Sequence, residues 1–197
     1  MDNWEKVGEV IKMQVHRKPL LANGEYRLDP LAEVSALRLT SAGTIGFDGV
    51  SWVLDSHHRH HPSFKASHRT RALSVGFSSH YEDIWSRFTP IPLGAGGENL
   101  IVSGERVITE SDLTGGIRIG PNGSEGSSVT LSGAKVAEPC VPFTRLVTGR
   151  TEAAPDEIAA DRECLRQGIR GYVMPLEEVE MFEVVPGTPV FIRSHRT

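Results

Sequence analysis

Cysteine offers the widest chemistry in this sequence, and Cys140 has a local sequence that suits a reactive thiol. It lies between Pro139 and Pro142, after a stretch that predicts a strand through Val136. Because proline restricts the residue before it and cannot continue a ladder, the thiol is predicted to sit on extended, irregular backbone at a strand end. A thiolate is a nucleophile and a metal ligand, and the nearby cation Arg145 would favour that form. The alternative is a buried apolar cysteine, as most free cysteines are.

A glycine-rich segment, residues 93–100 with the sequence LGAGGENL, is the second candidate. Glycine lets a ligand approach the backbone closely and adopts positive-φ conformations. Glu98 and Asn99 would then face the site. The alternative is an ordinary loop that leads into a strand, since the segment is neither a P-loop nor a dinucleotide-binding fingerprint.

The third candidate is a basic segment from residue 57 to residue 71. No aspartate or glutamate occurs between Ser56 and Tyr81, so the segment can hold a phosphate or another anion by charge and by many donors. His57 and His61 have the spacing of a metal-binding pair on a helix, but Pro62 opposes a helix there, which makes a dedicated zinc site the least favoured interpretation. A solvated basic loop is an equal alternative. The candidate ligands are His57, His58, Arg59, His60, His61, Lys65, His68, Arg69 and Arg71.

Short strands are the main elements that must position these residues. Apolar and polar residues alternate with a period of two in several runs, which predicts half-buried strands. Two of these runs are expected to pair as a hairpin around residues 120–126, and the last two are expected to form a hairpin around Pro186 and Gly187. The predicted strands cover residues 11–15, 34–40, 73–77, 117–119, 129–131, 181–185 and 190–193.

Two helices are predicted between the strands. Ser79 and Glu82 have the spacing of a capping box, and the apolar residues from Tyr81 to Phe88 then share one face. The second helix covers residues 155–167, and Cys164 on it is predicted to take no part in the chemistry. Many short strands with two short helices predict a β-barrel or a β-sandwich.

Composition restricts the classes of partner and location. The formal net charge of −4 in 197 residues gives no reason to expect nucleic acid or an anionic membrane as a partner. No apolar run approaches the ~20 residues of a membrane helix, and the first ten residues do not resemble a signal peptide. We therefore expect a cytoplasmic protein whose two cysteines are free. No linker divides the chain, so residues 1–197 are expected to form a single domain.

In combination, these motifs resemble the MOSC family, which is named for the C-terminal domain of molybdenum cofactor sulfurase. The GENL sequence at residues 97–100 matches a family signature, and a Pro-Cys pair, Pro139 and Cys140, follows about 40 residues later. Two departures from the family pattern occur: a longer histidine-rich insertion replaces the usual His-Gly-Gly, and the Gly-Asp of the central hairpin is absent. Weaker similarities, in the family's order, are residues 7–10, 46–48, 55–58, 71–74, 117–120, 168–172 and 186–187.

The resemblance implies a mainly β fold, a closed β-barrel of the MOSC and pyruvate-kinase-barrel type with a few short helices. Its central part would run from residue 93 to residue 145. It also implies molybdenum cofactor (molybdopterin) as ligand, and Cys140 as a carrier of persulfide sulfur or as a ligand of molybdenum. The basic segment would hold the phosphate of the pterin, and backbone amides of residues 94–97 would contribute hydrogen-bond donors. The cofactor-binding residues so implied are His57, His58, Arg71, Gly97, Glu98, Asn99 and Arg145.

Three functions are compatible with these residues. The first is cofactor binding or sulfur carriage through Cys140, beside a cysteine desulfurase of the kind that uses pyridoxal phosphate. The second is a molybdenum-dependent reductase of N-hydroxylated compounds, which would need a separate electron-donor protein because the chain has no flavin or iron–sulfur motif. The third is a module that binds an anion or a metal without catalysis. The sequence leaves open whether the protein is an enzyme.

Overall fold

The computed structural model describes residues 4–121 and 127–193, and most of its regular structure is β-strand. Three short α-helices complete it: α1 (Ser78–Arg87), α2 (Val141–Thr148) and α3 (Ala159–Leu165). Two 3₁₀ turns cover Ala66–Arg71 and Ser111–Leu113. The strands are β1 (Trp4–His16), β2 (Leu21–Ala22), β3 (Glu25–Tyr26), β4 (Leu31–Glu33), β5 (Ala36–Thr40), β6 (Gly43–Phe47), β7 (Trp52–Leu54), β8 (Leu73–Phe77), β9 (Leu100–Val102), β10 (Ile117–Ile119), β11 (Val129–Leu131), β12 (Lys135–Val136), β13 (Tyr172–Met174), β14 (Met181–Val184) and β15 (Pro189–Arg193).

The larger sheet is organised around β1, a 13-residue strand that pairs with three different neighbours along its length. Its first half pairs with β15, its middle with β9 and its last residues, Gln14 to His16, with β4. The register shifts near Gly8 and again after Val10, and such bulges bend a strand and increase its twist. At Gly8 an added Cβ would lie 1.7 Å from the Ser103 carbonyl oxygen, so only glycine fits this bend. The sheet consequently curls strongly, as half of a barrel.

The order of strands in this sheet is β11-β10-β15-β1-β9-β8-β13-β12, with β4 beside β1. The prediction of a mainly β fold with a few short helices is confirmed. The predicted hairpin of β10 and β11 is also present, with Ile117 opposite Leu131, although residues 122–126 of its loop lie outside the described part. β11 and β12 stand at opposite ends of the order, and within the described residues, 4–121 and 127–193, β11 does not pair with β12. Closure of the sheet into a barrel therefore stays a prediction.

The last two strands do not form the predicted hairpin. β14 pairs with β5 in a second sheet of order β14-β5-β6-β7, whereas β15 pairs with β1 and β10 in the larger one. The turn between them explains the difference, because the Gly187 amide donates to the Val10 carbonyl at 2.8 Å. The turn is thereby fastened to β1, and the chain crosses from one sheet to the other instead of folding back.

The helices differ from the sequence expectation in their ends. α1 is present, but Phe77 is its N-cap and no side chain caps it, so the predicted capping box is wrong. The Ser79 hydroxyl donates instead to the Arg106 carbonyl at 2.7 Å, which ties α1 to the loop after β9. α3 is shorter than predicted because residues 155–158 form turns before it. α2 was not predicted at all.

Two apolar cores hold these elements. The larger fills the concave side of the curled sheet and includes Leu37, Leu73 and Leu100. The smaller lies among the three helices and includes Tyr81 of α1 and Phe143 of α2. This core also contains residues from the loop before β9, which pack with residues of α2. The packing holds α2 and Cys140 next to the glycine-rich segment. Of the described helices, none has the length and apolarity needed to cross a membrane.

Candidate functional site

A cavity of about 380 Å³ brings five segments of the chain together. The end of β1 and the β2–β3 hairpin form one wall, and the basic segment forms another. The glycine-rich segment and the stretch from β12 to Cys140, together with residues around Arg170, complete the lining. The glycine-rich segment, the segment around Cys140 and the basic segment, which the sequence singled out separately, thus meet at one cavity.

Cys140 lies at the N-terminus of α2, as its N-cap residue, and its side chain contributes to the cavity lining. Its backbone is extended, with φ −85° and ψ 159°, as predicted from the flanking prolines. The Cys140 carbonyl accepts the Thr144 amide at 2.9 Å and the Thr144 hydroxyl at 3.1 Å, which fixes the start of the helix. Helix N-termini carry a partial positive charge, and Cys140 stands at that end of α2. Cys164 lies elsewhere, on α3, with its sulfur 3.2 Å from Arg87 Nη1.

Glu98 is a buried carboxyl group in the same lining, only 2% exposed. The Tyr81 hydroxyl donates to its Oε2 at 2.8 Å, and its Oε1 has no partner. Glycines surround the group closely, since an added Cβ would lie 2.5 Å from Oε1 at Gly96 and 2.8 Å from Cγ at Gly76. Burial raises the pKa of Glu98 to about 7, although its own amide, Tyr81 and Arg170 oppose the shift.

Arg170 connects the two halves of this lining. Its Nη1 donates to the Glu138 carbonyl and its Nη2 lies 3.5 Å from the Gly96 carbonyl oxygen. Its guanidinium also lies over the Phe143 ring at 4.5 Å. Burial raises the pKa of Tyr26 beside it to about 12, with Arg170 opposing, so the Tyr26 hydroxyl stays protonated at neutral pH.

A second ionisable group of the cavity is His57, which is oriented by a buried carboxylate. Asp55 is fully buried and its Oδ1 accepts from the His57 amide at 2.8 Å and from His57 Nδ1 at 2.9 Å. Its Oδ2 accepts from the His16 amide at 2.8 Å and from Asn99 Nδ2 at 2.9 Å. Burial alone would raise the pKa of Asp55, but His16 and His57 outweigh it and hold the pKa well below its usual range. The carboxylate thereby fixes the proton on Nδ1 of His57 and leaves Nε2 for a ligand.

His16, Asp55 and His57 also bring three metal-ligating side chains together, with one ligand atom of each within 4.8 Å of the others. The His16 Nε2 bonds to the Gly97 carbonyl at 2.7 Å, and burial lowers the pKa of this ring. Both oxygens of Asp55 already accept two hydrogen bonds each. We therefore interpret Asp55 as the residue that orients His57, in preference to a metal ligand.

Not every residue suggested by the sequence reaches the cavity. Cys140, His57, Arg71, Gly97 and Glu98 line it, together with Lys65 and His68 of the basic segment. Three of the residues that the family resemblance implies for cofactor binding do not belong to the lining, and neither do Arg59, His60, His61 and Arg69 of the basic segment. His58 packs against Gly43, Asn99 bonds to Asp55 and Ser74, and Arg145 donates from Nε to the Ala153 carbonyl at 2.9 Å.

The glycine-rich segment does not offer its amides as expected. The amide of Ala95 donates to the Pro92 carbonyl, that of Gly96 to the Tyr81 hydroxyl and that of Gly97 to the Gly94 carbonyl, at 2.9 to 3.0 Å. The expectation that the amides of residues 94–97 bind a ligand is therefore wrong for these three. The glycines are required by close packing: an added Cβ at Gly97, where φ is +86°, would lie 2.6 Å from Leu20 Cδ1.

Sequence reasoning missed several residues of the site, namely His16, Tyr26, Tyr81 and Arg170. The sequence placed Tyr81 only on the apolar face of a predicted helix. It placed His16 only among the polar residues that alternate with apolar ones in a predicted strand. The one available signal was Arg170 inside the Gly-x-x-Gly turn at residues 168–171.

Comparison with known proteins identifies the family. A family model of the MOSC domain matches residues 55–190. This chain belongs to the MOSC domain family. Among curated proteins there is no match. Of the solved structures, the YUAD protein from Bacillus subtilis superposes with a TM-score of 0.56 at 16% identity, over 98% of this chain and 100% of the other. A hypothetical protein superposes with a TM-score of 0.53 at 16% identity, over 98% of this chain and 70% of the other. At such identities the two structures show a common fold.

Proposed function

We propose that this MOSC protein binds a phosphate-bearing molybdenum–pterin cofactor or carries sulfur for it, with Cys140 as the reacting group. The observation that carries the proposal is that a cysteine at a helix N-terminus opens into a 380 Å³ cavity that is also lined by Lys65, His68 and Arg71. A soft thiolate suits molybdenum or sulfane sulfur, and the cations Lys65 and Arg71 suit a phosphate. Burial lowers the pKa of His68, so its neutral ring adds a hydrogen-bonding group and not a charge. Membership of the MOSC family supports this combination.

The residues of the cavity fit such a ligand in separate ways. Lys65 and Arg71 would bind the phosphate, because both are exposed cations at the lining. Arg170, whose guanidinium lies over the Phe143 ring, would donate to polar atoms of a ligand in the cavity. Cys140 would hold molybdenum as a ligand, or sulfur as a persulfide. When bound, the cofactor would supply two-electron redox chemistry, which the side chains of this chain lack.

Molybdenum content of the purified protein tests this proposal. The protein is produced in a host that makes molybdenum cofactor, and metal is measured by elemental mass spectrometry for the wild type, Cys140→Ala and Cys164→Ala. Cys164 is the matched control because it is the second free cysteine and lies on α3, outside the cavity lining. We expect metal in the wild type and in Cys164→Ala, and none in Cys140→Ala.

Absence of metal from all three proteins would remove the ligand role and leave sulfur carriage. Incubation with a cysteine desulfurase and its substrate, followed by mass spectrometry of the Cys140 peptide, then tests that role. A persulfide on Cys140 would support it, and an unmodified peptide would contradict it. The desulfurase is the partner proposed for this role, in a cytoplasmic setting.

A second candidate function is a molybdenum-dependent reductase of N-hydroxylated compounds. Glu98 favours it, because a carboxyl group that is half protonated near pH 7 can supply one of the protons that such a reduction consumes. An electron-donor protein would be the partner. Failure to reduce hydroxylaminopurine with a chemical electron donor and the metal-loaded protein would count against this candidate.

The third candidate is a non-catalytic anion-binding module. It predicts that orthophosphate binding, measured calorimetrically, is weakened by Arg71→Gln and unchanged by Cys140→Ala. The histidines of the basic segment are less suited to a common metal site, since His57 lines the cavity whereas His61 bonds through Nε2 to the Arg17 carbonyl and His58 is buried elsewhere.

A further inference from the structure

Polar atoms without hydrogen-bond partners concentrate at the wall of this cavity. In the described ranges, four of the buried side-chain atoms that lack a partner belong to residues of its lining: His16 Nδ1, Tyr26 OH, Glu98 Oε1 and Arg170 Nε. Buried polar groups are nearly always paired, and exceptions concentrate where a ligand or a reaction uses them. The wall that contains Glu98 is therefore built for contact with a polar ligand.

The hydrogen bonds of Tyr81 determine which oxygen of Glu98 can carry a proton. The Tyr81 hydroxyl accepts the Gly96 amide at 2.9 Å and donates its single proton to Glu98 Oε2 at 2.8 Å. Oε2 is thus an acceptor in either ionisation state of the carboxyl group. The carboxyl proton itself belongs on Oε1, the oxygen that has no protein partner.

Charged and titratable groups face Glu98 from each neighbouring element. Lys12 lies on β1, Tyr26 on β3, Tyr81 on α1 and Arg170 in the turn before β13. Burial, opposed by Tyr81, Arg170 and Lys12, brings the pKa of Glu98 to about 7, so the group can both hold and release a proton at neutral pH.

Arg170 places the Glu98 segment next to the Cys140 segment. Its guanidinium contacts the carbonyl of Gly96, two residues before Glu98, and donates to the carbonyl of Glu138, two residues before Cys140. The hydroxyl of Tyr26 interacts electrostatically with both Glu98 and Cys140. The acid and the thiol therefore line the same cavity, on two segments that Arg170 joins.

We propose that Glu98 is a catalytic acid that protonates the leaving thiolate when Cys140 accepts sulfur from a low-molecular-weight persulfide. The Cys140 thiolate attacks the outer sulfur of R–S–SH, so that a new Cys140–S bond forms and the donor S–S bond breaks. The electron pair of the broken bond leaves on R–S⁻, which takes the proton from Glu98 and departs as R–SH. Glu98 regains a proton from solvent. No oxidant or reductant is required, and the step rests on the sulfur-carrier form of the proposed function.

The rate of Cys140 persulfide formation from glutathione persulfide, measured by quenched mass spectrometry between pH 5.5 and pH 9, tests this inference. We compare the wild type with Glu98→Gln, which keeps the shape of the side chain but cannot donate this proton. The ratio of the two rates cancels the ionisation of the donor, which is the same in both experiments. We expect a ratio of at least about 10 below pH 7, which is modest for a positioned proton donor, and a fall toward one above pH 7.

Three further variants separate this role from a structural one. Glu163→Gln is the control, because Glu163 lies on α3, outside the cavity lining, with its side chain 65% exposed, and it should give a ratio of one at every pH. Glu98→Asp should restore part of the pH-dependent fall. Tyr81→Phe removes a hydrogen bond that stabilises the Glu98 carboxylate, so it should move the fall to higher pH, and it serves as the test if Glu98→Gln does not fold.

The outcomes distinguish the inference from the function on which it rests. Persulfide in the wild type but not in Cys140→Ala supports sulfur carriage. With that result, a rate ratio that is one, or that does not change with pH, overturns the role of Glu98 and leaves sulfur carriage standing. If the wild type accepts no sulfur, sulfur carriage is contradicted and the role of Glu98 is overturned with it.

Discussion

Replacing Glu98 by glutamine should change how the stability of the fold depends on pH. The pKa of Glu98 is about 7 in the folded protein, against an ordinary value of 4.5. A carboxyl group whose folded pKa is raised contributes stability that is fully present below its unfolded pKa and is lost as pH rises through the folded pKa. A shift of this size corresponds to roughly 3 kcal/mol, most of it lost between pH 5 and pH 8.

Urea unfolding of the wild type and Glu98→Gln at several pH values between 5 and 8 measures this term. The histidines titrate in both proteins, so they cancel in the difference. We expect the unfolding free energy of the wild type to fall, relative to that of Glu98→Gln, by about 2 to 3 kcal/mol from pH 5 to pH 8. Glu138→Gln should show no such difference, because that carboxylate is largely exposed. A difference between wild type and Glu98→Gln that is the same at pH 5 and pH 8 would refute the reasoning.

Two other substitutions test the parts that support the site. Asp55→Asn should lower the unfolding free energy at pH 7 by about 2 to 4 kcal/mol. The new amide nitrogen would face either the two donors of His57 or the donors of His16 and Asn99, and in both cases two N–H groups would lose their acceptor. Since the pKa of Asp55 is lowered in the folded state, the deficit should shrink as pH falls below about 4, and an acid-independent deficit in urea unfolding would contradict this. Gly96→Ala would place Cβ 2.5 Å from Glu98 Oε1 and should cost about 1 to 3 kcal/mol, measured in the same way; an unchanged midpoint would show that the carboxyl group can move aside.

The alternating runs were sufficient to predict most strands but not their full extent. Residues 11–15 alternate cleanly, yet β1 begins at Trp4, because the bulge near Gly8 breaks the period of two. The absence of a final hairpin had no local signal either. The sequence around Pro186 and Gly187 predicts a turn but not whether the flanking strands pair with each other. That depends on the hydrogen bond from the Gly187 amide to the Val10 carbonyl, a residue far away in the sequence.

α2 escaped prediction for a different reason. It has eight residues, of which several are β-branched or proline, so its composition does not favour a helix. Pro142 in the first turn and Gly149 at the end, with φ +68°, are the signals that were available. The helix is stabilised mainly by burial of Phe143 and Val147 in the smaller core, which only the tertiary structure reveals.

Site residues that belong to a recognisable sequence motif could be predicted, and those that contribute only through tertiary contacts could not. Cys140 and Glu98 were found because a Pro-Cys pair and a GENL sequence are recognisable as they stand. His16 and Arg170 had no comparable pattern. Their roles follow from the contacts with the Gly97 and Gly96 carbonyls, which come from strand pairing and not from spacing.

The adjacent residues Glu98 and Asn99 connect the two ionisable parts of the site. Glu98 reaches the cavity wall beside Tyr81, whereas the Asn99 carboxamide turns away and donates to Asp55, which in turn orients His57. Consecutive residues of an extended segment point to opposite sides, so one short stretch of chain can support an acid on one side and a histidine on the other. A shift of this stretch would therefore disturb both groups together, which accounts for the dense set of hydrogen bonds between Asn99 and the end of β1 and start of β8.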